Sequence, residues 1–108
     1  MLVAGGGMTL HDEVRRRVAE VAEICRRYGV SEIAVFGSAL RLDASEVGDL
    51  DLLVTFAPDA PVGLIAFERL RRELSSSLGK TVDLVPRNGL KPAIRDDVLR
   101  EARVLYAA

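Results

Sequence analysis

The chain has 108 residues, with 15 basic and 16 acidic side chains and a formal net charge of −1. This balance gives no electrostatic basis for non-specific binding to nucleic acid, so no direct nucleic-acid contact is expected. The length predicts one domain with a modest core, and no apolar run approaches the roughly 18–20 residues of a membrane span.

The N-terminal residues and the single cysteine also limit the class of protein. Residues 1–8 are predicted to be a flexible extension, because three consecutive glycines oppose any regular element. Met8 is a candidate natural start, and the first residues lack the basic start and long apolar middle of a signal peptide. Cys25 falls on an apolar helical stripe and is interpreted as a buried small hydrophobe. A reducing, cytoplasmic location fits these features.

The first predicted elements are a helix and a strand. The helix begins after Thr9, a candidate cap, and ends at Gly29. Its apolar residues recur at spacings of three and four, which predicts one buried face. They are Leu10, Val14, Val18, Val21, Cys25 and Tyr28. Residues 32–36 are β-branched and aromatic and predict a strand, which Gly37 and Ser38 interrupt.

The remaining elements alternate between strand and helix. Residues 39–48 are predicted to contain a helical turn, 49–56 a second strand and 62–78 a second helix that Gly79 ends. The predicted core face of that helix comprises Leu64, Phe67, Leu70, Leu74 and Leu78. A third strand at 81–85, a last helix at about 91–102 and a short edge strand at 103–106 complete the chain. In the last helix, the residues predicted to face the core are Ile94, Val98 and Ala102.

This order predicts an α/β (α+β) fold with a small mixed sheet of three to four strands and helices packed on one face. Residues 9–108 are expected to form the single domain.

Aspartates stand at the starts of two predicted strands, where an apolar strand does not need them. Because side chains alternate across a strand, Asp49 and Asp51 are predicted to share a face, with Cα atoms roughly 6–7 Å apart. Asp83 repeats the arrangement in the third strand. The intervening helix is long enough for a right-handed parallel crossover, which would bring all three aspartates to one edge of the sheet.

The turn at Gly37 and Ser38 would lie above these aspartates if the first two strands are antiparallel, a topology that the chemistry favours and the pattern does not require. Three neighbouring carboxylates repel one another, so at least one pKa should be raised without a cation. Mg²⁺ prefers such oxygen ligands, and two ions about 3.5–4 Å apart can bridge a triphosphate and an attacking hydroxyl. A Gly-Ser turn offers N–H groups to phosphate oxygens. This combination is typical of phosphoryl-type transfer.

The spacing makes the motif specific. Eight aspartates in 108 residues supply about 0.6 Asp-x-Asp patterns by chance, whereas Gly-Ser at one fixed distance before such a pattern is expected on the order of 0.003 times. Gly37-Ser38, ten intervening residues and Asp49-Leu50-Asp51 resemble the signature of the nucleotidyltransferase superfamily that includes DNA polymerase β. The short length and the later Asp83 resemble its minimal nucleotidyltransferase (MNT) branch.

The resemblance implies a polymerase β-like nucleotidyltransferase fold and an antitoxin that transfers AMP from ATP to a tyrosine of a HEPN-domain ribonuclease toxin. It implies that Gly37 and Ser38 hold the triphosphate and that the three aspartates bind Mg²⁺. It further implies that Asp83 helps to deprotonate the acceptor hydroxyl and that Arg41 neutralises phosphate charge.

Two departures from the family pattern affect the loop: Leu42 stands where glycine is common, and Gly48 where serine is common. Neither removes a metal ligand. Two alternatives stay open, namely a non-catalytic antitoxin that neutralises its toxin by binding, and a small-molecule (antibiotic) nucleotidyltransferase. The second alternative usually needs an additional acceptor-binding region, for which this chain has little length left. The preferred nucleotide base and self-association into a homo-oligomer stay open as well.

Overall fold

The computed structural model describes residues 14–40, 48–60 and 62–108. Their α-helices are α1 (Val18–Tyr28), α2 (Leu64–Leu78) and α3 (Pro92–Glu101). Their strands are β1 (Val30–Phe36), β2 (Leu50–Phe56), β3 (Val82–Pro86) and β4 (Arg103–Ala107). Short 3₁₀ helices follow β1 and β3, at Gly37–Leu40 and Arg87–Gly89.

Glycines end the two longer helices, as the sequence predicted. Gly29 and Gly79 both have a φ of 70°, which is in the left-handed region of backbone conformation that residues other than glycine rarely adopt. Their N–H groups donate to the carbonyls of Cys25 and Ser75. At its other end α1 is shorter than predicted, because a turn at residues 16–17 separates it from the helical residues 14–15. The proposed cap Thr9 lies outside the described residues.

The sheet has the strand order β3-β2-β1-β4. Strand β1 is antiparallel to both β2 and β4, and β2 is parallel to β3. The predicted antiparallel first pair, parallel second pair and final edge strand are therefore confirmed. Helix α2 makes the parallel crossover, and this connection places β3 directly beside β2.

The predicted fold class is confirmed, but the position of one helix differs. Helices α1 and α2 cover one face of the sheet, over a core that includes Leu52 of β2 and Leu74 of α2. Helix α3 lies against the other face, where Leu99 packs with Ala34 and Leu53. The prediction of helices on a single face is wrong for α3, because the alternate apolar residues of β1 and β2 would otherwise face water.

Among the described residues, three apolar ones predicted to face the core are exposed. Leu64 is 85% exposed, Ile94 48% and Val18 40%. The reason is clearest for Leu64. Tyr28, the last residue of α1, donates its hydroxyl to Glu73, and Leu64 lies nine residues earlier, about 13 Å along the helix axis. The periodicity of α2 therefore identifies its buried stripe, but it predicts that this stripe continues past the point where α1 ends.

Cys25 is fully buried, as predicted. Burial raises the pKa of its thiol to about 12, so the reactive thiolate is not formed near neutral pH. Among the described residues, none of the helices has both the length and the apolarity that a membrane span requires.

Replacing Leu74 by alanine should lower the free energy of unfolding by about 2–5 kcal/mol, because the fully buried side chain would leave a cavity. Leu64→Ala is the matched control on the same helix. It should change the free energy of unfolding by less than about 0.5 kcal/mol, since that side chain has little contact to lose. Urea denaturation measures both, and equal losses would contradict the position assigned to Leu64.

Candidate functional site

Two of the predicted aspartates face each other across the parallel strands. Asp51 of β2 is the register partner of Asp83 of β3, and neighbouring strands lie about 4.8 Å apart. The residues on either side of each aspartate are buried beneath α1 and α2, so both carboxylates project from the opposite face. Asp51 is half-buried and Asp83 is exposed. The predicted meeting of carboxylates from two strands is therefore observed.

Asp49 precedes β2 and is exposed. Its negative charge acts on Asp51 and contributes to the pKa of that group. Within the described part of the chain, however, no three His, Cys, Asp or Glu side chains converge into a metal-ligand set. The structure thus brings Asp51 and Asp83 together and leaves Asp49 beside them as an electrostatic neighbour.

The pKa of Asp51 is raised above its ordinary value. Burial is the largest cause, followed by the charges of Asp83 and Asp49 and by a hydrogen bond with the Asp83 side chain. These causes all disfavour the ionised form. A divalent cation would favour it, because the cation would be attracted to both carboxylates and replace the lost hydration. The donor set therefore fits Mg²⁺, a hard cation that binds through one or two carboxylates.

Gly37 lies directly against Asp51. It follows Phe36, the register partner of Asp51 in the antiparallel pair. A Cβ atom on Gly37 would lie 2.5 Å from Oδ2 of Asp51, and its φ of 77° is in the left-handed region. Both the space and the backbone conformation therefore favour glycine.

The turn after Gly37 has the backbone shape expected for binding an anion. A residue with positive φ followed by a right-handed turn is the pattern of a backbone nest. Ser38 lies in the 3₁₀ turn Gly37–Leu40, and Ala39 of that turn is fully buried in the core, which anchors it. The predicted position of the turn beside the aspartates is thus observed.

The predicted phosphate ligand Arg41 and the departure at Leu42 lie outside the described residues. The other departure, Gly48, has no atom within 4 Å of where a Cβ would be. A serine there would fit without a clash, so the difference between serine and glycine at this position does not require a different shape of the site.

Phe36 is a site residue that the sequence analysis did not identify. It is half-buried in the small core beneath α3, and its register with Asp51 puts it on the same face as the carboxylates. Its ring therefore forms part of the apolar surface next to the aspartates. The available signal was its place immediately before Gly37, but only the strand register relates it to Asp51.

Comparison with known proteins agrees with this geometry. A family model for the nucleotidyltransferase domain matches residues 18–105. The chain is 42% identical over 94 residues to a protein from Thermococcus cleftensis named protein adenylyltransferase MntA, covering 87% of this chain and 93% of the relative.

Solved structures extend the comparison to the fold. A structure described provisionally as a minimal nucleotidyltransferase is 42% identical, with a TM-score of 0.70 over 92% of this chain and 98% of that chain. A chain from the complex of a tri-AMPylated Shewanella oneidensis HEPN toxin with an MNT antitoxin has a TM-score of 0.62 at 21% identity, over 87% and 72% of the two chains. At that identity the likeness shows the fold alone.

Replacing Gly37 by alanine should move the carboxylate of Asp51. Gly79→Ala is the matched control, because Gly79 has nearly the same φ but open space around its Cβ position. Both variants should lose roughly 1–2 kcal/mol from the left-handed conformation. Only Gly37→Ala should also change the pKa of Asp51 in an NMR titration, and an unchanged pKa would show that the predicted contact is absent.

Replacing Asp51 by asparagine should stabilise the metal-free protein at pH 7. Because the pKa of Asp51 is higher in the folded state, this group stabilises the fold at low pH. That contribution is lost as the pH rises through the folded pKa. Like charges on facing strand positions cost roughly 0.2–1 kcal/mol, so Tm should rise by a few degrees.

The exposed Asp96 of α3 provides the control, Asp96→Asn, which should leave Tm nearly unchanged. A lower Tm for Asp51→Asn in thermal melts between pH 4 and pH 8 would contradict the proposed repulsion.

Proposed function

This chain belongs to the nucleotidyltransferase domain family, in its minimal branch, and we propose that it transfers AMP from ATP to a tyrosine hydroxyl of a HEPN-domain toxin. The observation that carries the proposal is the pairing of Asp51 with Asp83 beneath the Gly37 turn. The relative named as a protein adenylyltransferase supports a protein acceptor. The MNT–HEPN complex supports the class of that acceptor.

The three aspartates would hold Mg²⁺ in this proposal, with two ions expected. Asp51 and Asp83 already share one face, and Asp49 is exposed two residues before Asp51. Bound Mg²⁺ would neutralise the carboxylates and the triphosphate and polarise the bonds to the transferred phosphorus. The backbone N–H groups around Gly37 and Ser38 would hold phosphate oxygens, and Arg41 would add a positive charge.

The chemical step forms one bond and breaks one bond. The tyrosine oxygen attacks the α-phosphorus of ATP, and the bond between that phosphorus and the bridging oxygen breaks as pyrophosphate leaves. The phenolic proton goes to a carboxylate. Asp83 suits this role because it is exposed, at the position where an acceptor can approach, and lies beside the half-buried Asp51. The chain thus positions both reactants and accepts the proton.

The acceptor is expected to come from outside the chain, because the aspartate edge is open and the 88 residues matched by the family model (18–105) include β1, β2, β3 and part of β4. An enzyme of this kind would work in the cytoplasm, where ATP is available and where the free thiol of Cys25 would stay reduced.

With ATP, Mg²⁺ and the HEPN partner, the protein should add about 329 Da per AMP to the partner, which intact-protein mass spectrometry measures. Fragmentation should locate the AMP on tyrosine, and chelation with EDTA should abolish the addition. Asp49→Ala with Asp51→Ala should lower the rate by at least about 10³-fold, because the metal ligands are lost.

The control is Asp96→Ala with Asp97→Ala, which removes two adjacent exposed carboxylates from α3 and changes the charge equally. It should keep the full rate. If the Asp49/Asp51 variant still neutralises the toxin completely, neutralisation occurs by contact. Modification of an aminoglycoside but not of the partner would instead indicate a small-molecule nucleotidyltransferase.

A further inference from the structure

A cavity lies at the end of the sheet opposite the aspartates. It has a volume of about 600 Å³ and is formed by the last residues of β2 and β3 together with α3. Thr55, at its wall, is four residues beyond Asp51 along β2, about 13 Å away. The cavity is therefore separate from the carboxylate pair, although both lie along the same strand.

The charge of this cavity is positive and poorly compensated. Arg87 and Arg95 both line it, and none of the described residues that line it is acidic. Arg87 has one exposed ion pair, with Glu32 at 3.8 Å, a type of pair that contributes little. Arg95 has no ion pair with another described residue.

The rest of the lining is suited to an organic ligand with hydrogen-bonding groups. Thr55 and Asn88 add polar side chains near the arginines, and Phe56, Pro58 and Leu99 provide an apolar wall. Small-molecule sites combine these features at volumes of roughly 300–1,000 Å³. A cavity with only arginines would bind any small anion, whereas the apolar wall also favours a ligand with a flat apolar portion.

We propose that this cavity binds a mononucleotide, with its phosphate on Arg87 and Arg95 and its base against the apolar wall. A phosphate monoester carries nearly two negative charges at pH 7, which match the two guanidinium groups, and each guanidinium binds phosphate through paired N–H donors. Binding here needs no metal. The inference does not depend on transfer of AMP to a toxin, and it adds a second nucleotide site to the one at the aspartates.

Isothermal titration of the full chain with AMP in excess EDTA tests the proposal, because metal-dependent binding at the aspartates is then suppressed. One site per chain is expected. Arg95→Ala should weaken AMP binding by about tenfold or more, and combining it with Arg87→Ala should remove binding. The matched control is Arg100→Ala on the same helix, whose side chain pairs with Asp97 and does not line the cavity. It should leave the affinity unchanged.

Ligand variants distinguish the chemistry. Adenosine should not bind, and both inorganic phosphate and ribose 5-phosphate should bind at least about tenfold more weakly than AMP. Equal affinity for these three phosphates would overturn the assignment to a nucleotide. Absence of AMP binding in EDTA, or equal loss in Arg95→Ala and Arg100→Ala, would overturn the site. Circular dichroism and Tm of each variant establish that the fold is retained.

Discussion

The repulsion between Asp51 and Asp83 is the physical constraint on which the site depends. The two carboxylates face each other on neighbouring parallel strands, and the pKa of Asp51 is raised by burial and by this charge. Burial and the neighbouring charges disfavour the ionised form of Asp51. A divalent cation bound here would reverse this effect, because both carboxylates would attract it.

The rest of the fold holds the two carboxylates in this arrangement. Helix α2 carries the chain from the end of β2 back to the start of β3, which makes the strands parallel and aligns Asp51 with Asp83. The core beneath α1 and α2 fixes the strand faces, since Leu50, Leu52 and Val82 are all buried. The antiparallel β1 then brings Gly37 onto Asp51. A slip of one residue in β2 would turn Asp51 into the core.

The face of the sheet that carries the aspartates has opposite charges at its two ends. One end is acidic at Asp51 and Asp83, the middle is covered by α3 through Leu99, and the other end is basic at Arg87 and Arg95. The position of α3 creates this division, because it shields the middle of the face and leaves the two ends accessible. The proposed metal-dependent site and the proposed metal-independent anion site would therefore lie at separate ends of one small sheet.

The sequence by itself determined the local features. The alternation around Asp51 and Asp83 and the helix ends at Gly29 and Gly79 follow from short-range sterics and periodicity. The length of residues 62–78 allows a parallel crossover but does not require it. The Gly-Ser and Asp-x-Asp spacing identified the family. Only the tertiary structure decided which face α3 covers, that Leu64 extends past the end of α1, that Phe36 lies beside Asp51 and that Arg95 lines a cavity. These outcomes depend on contacts between residues far apart in the chain, and periodicity carries no information about which partner covers a given stripe or where that partner ends.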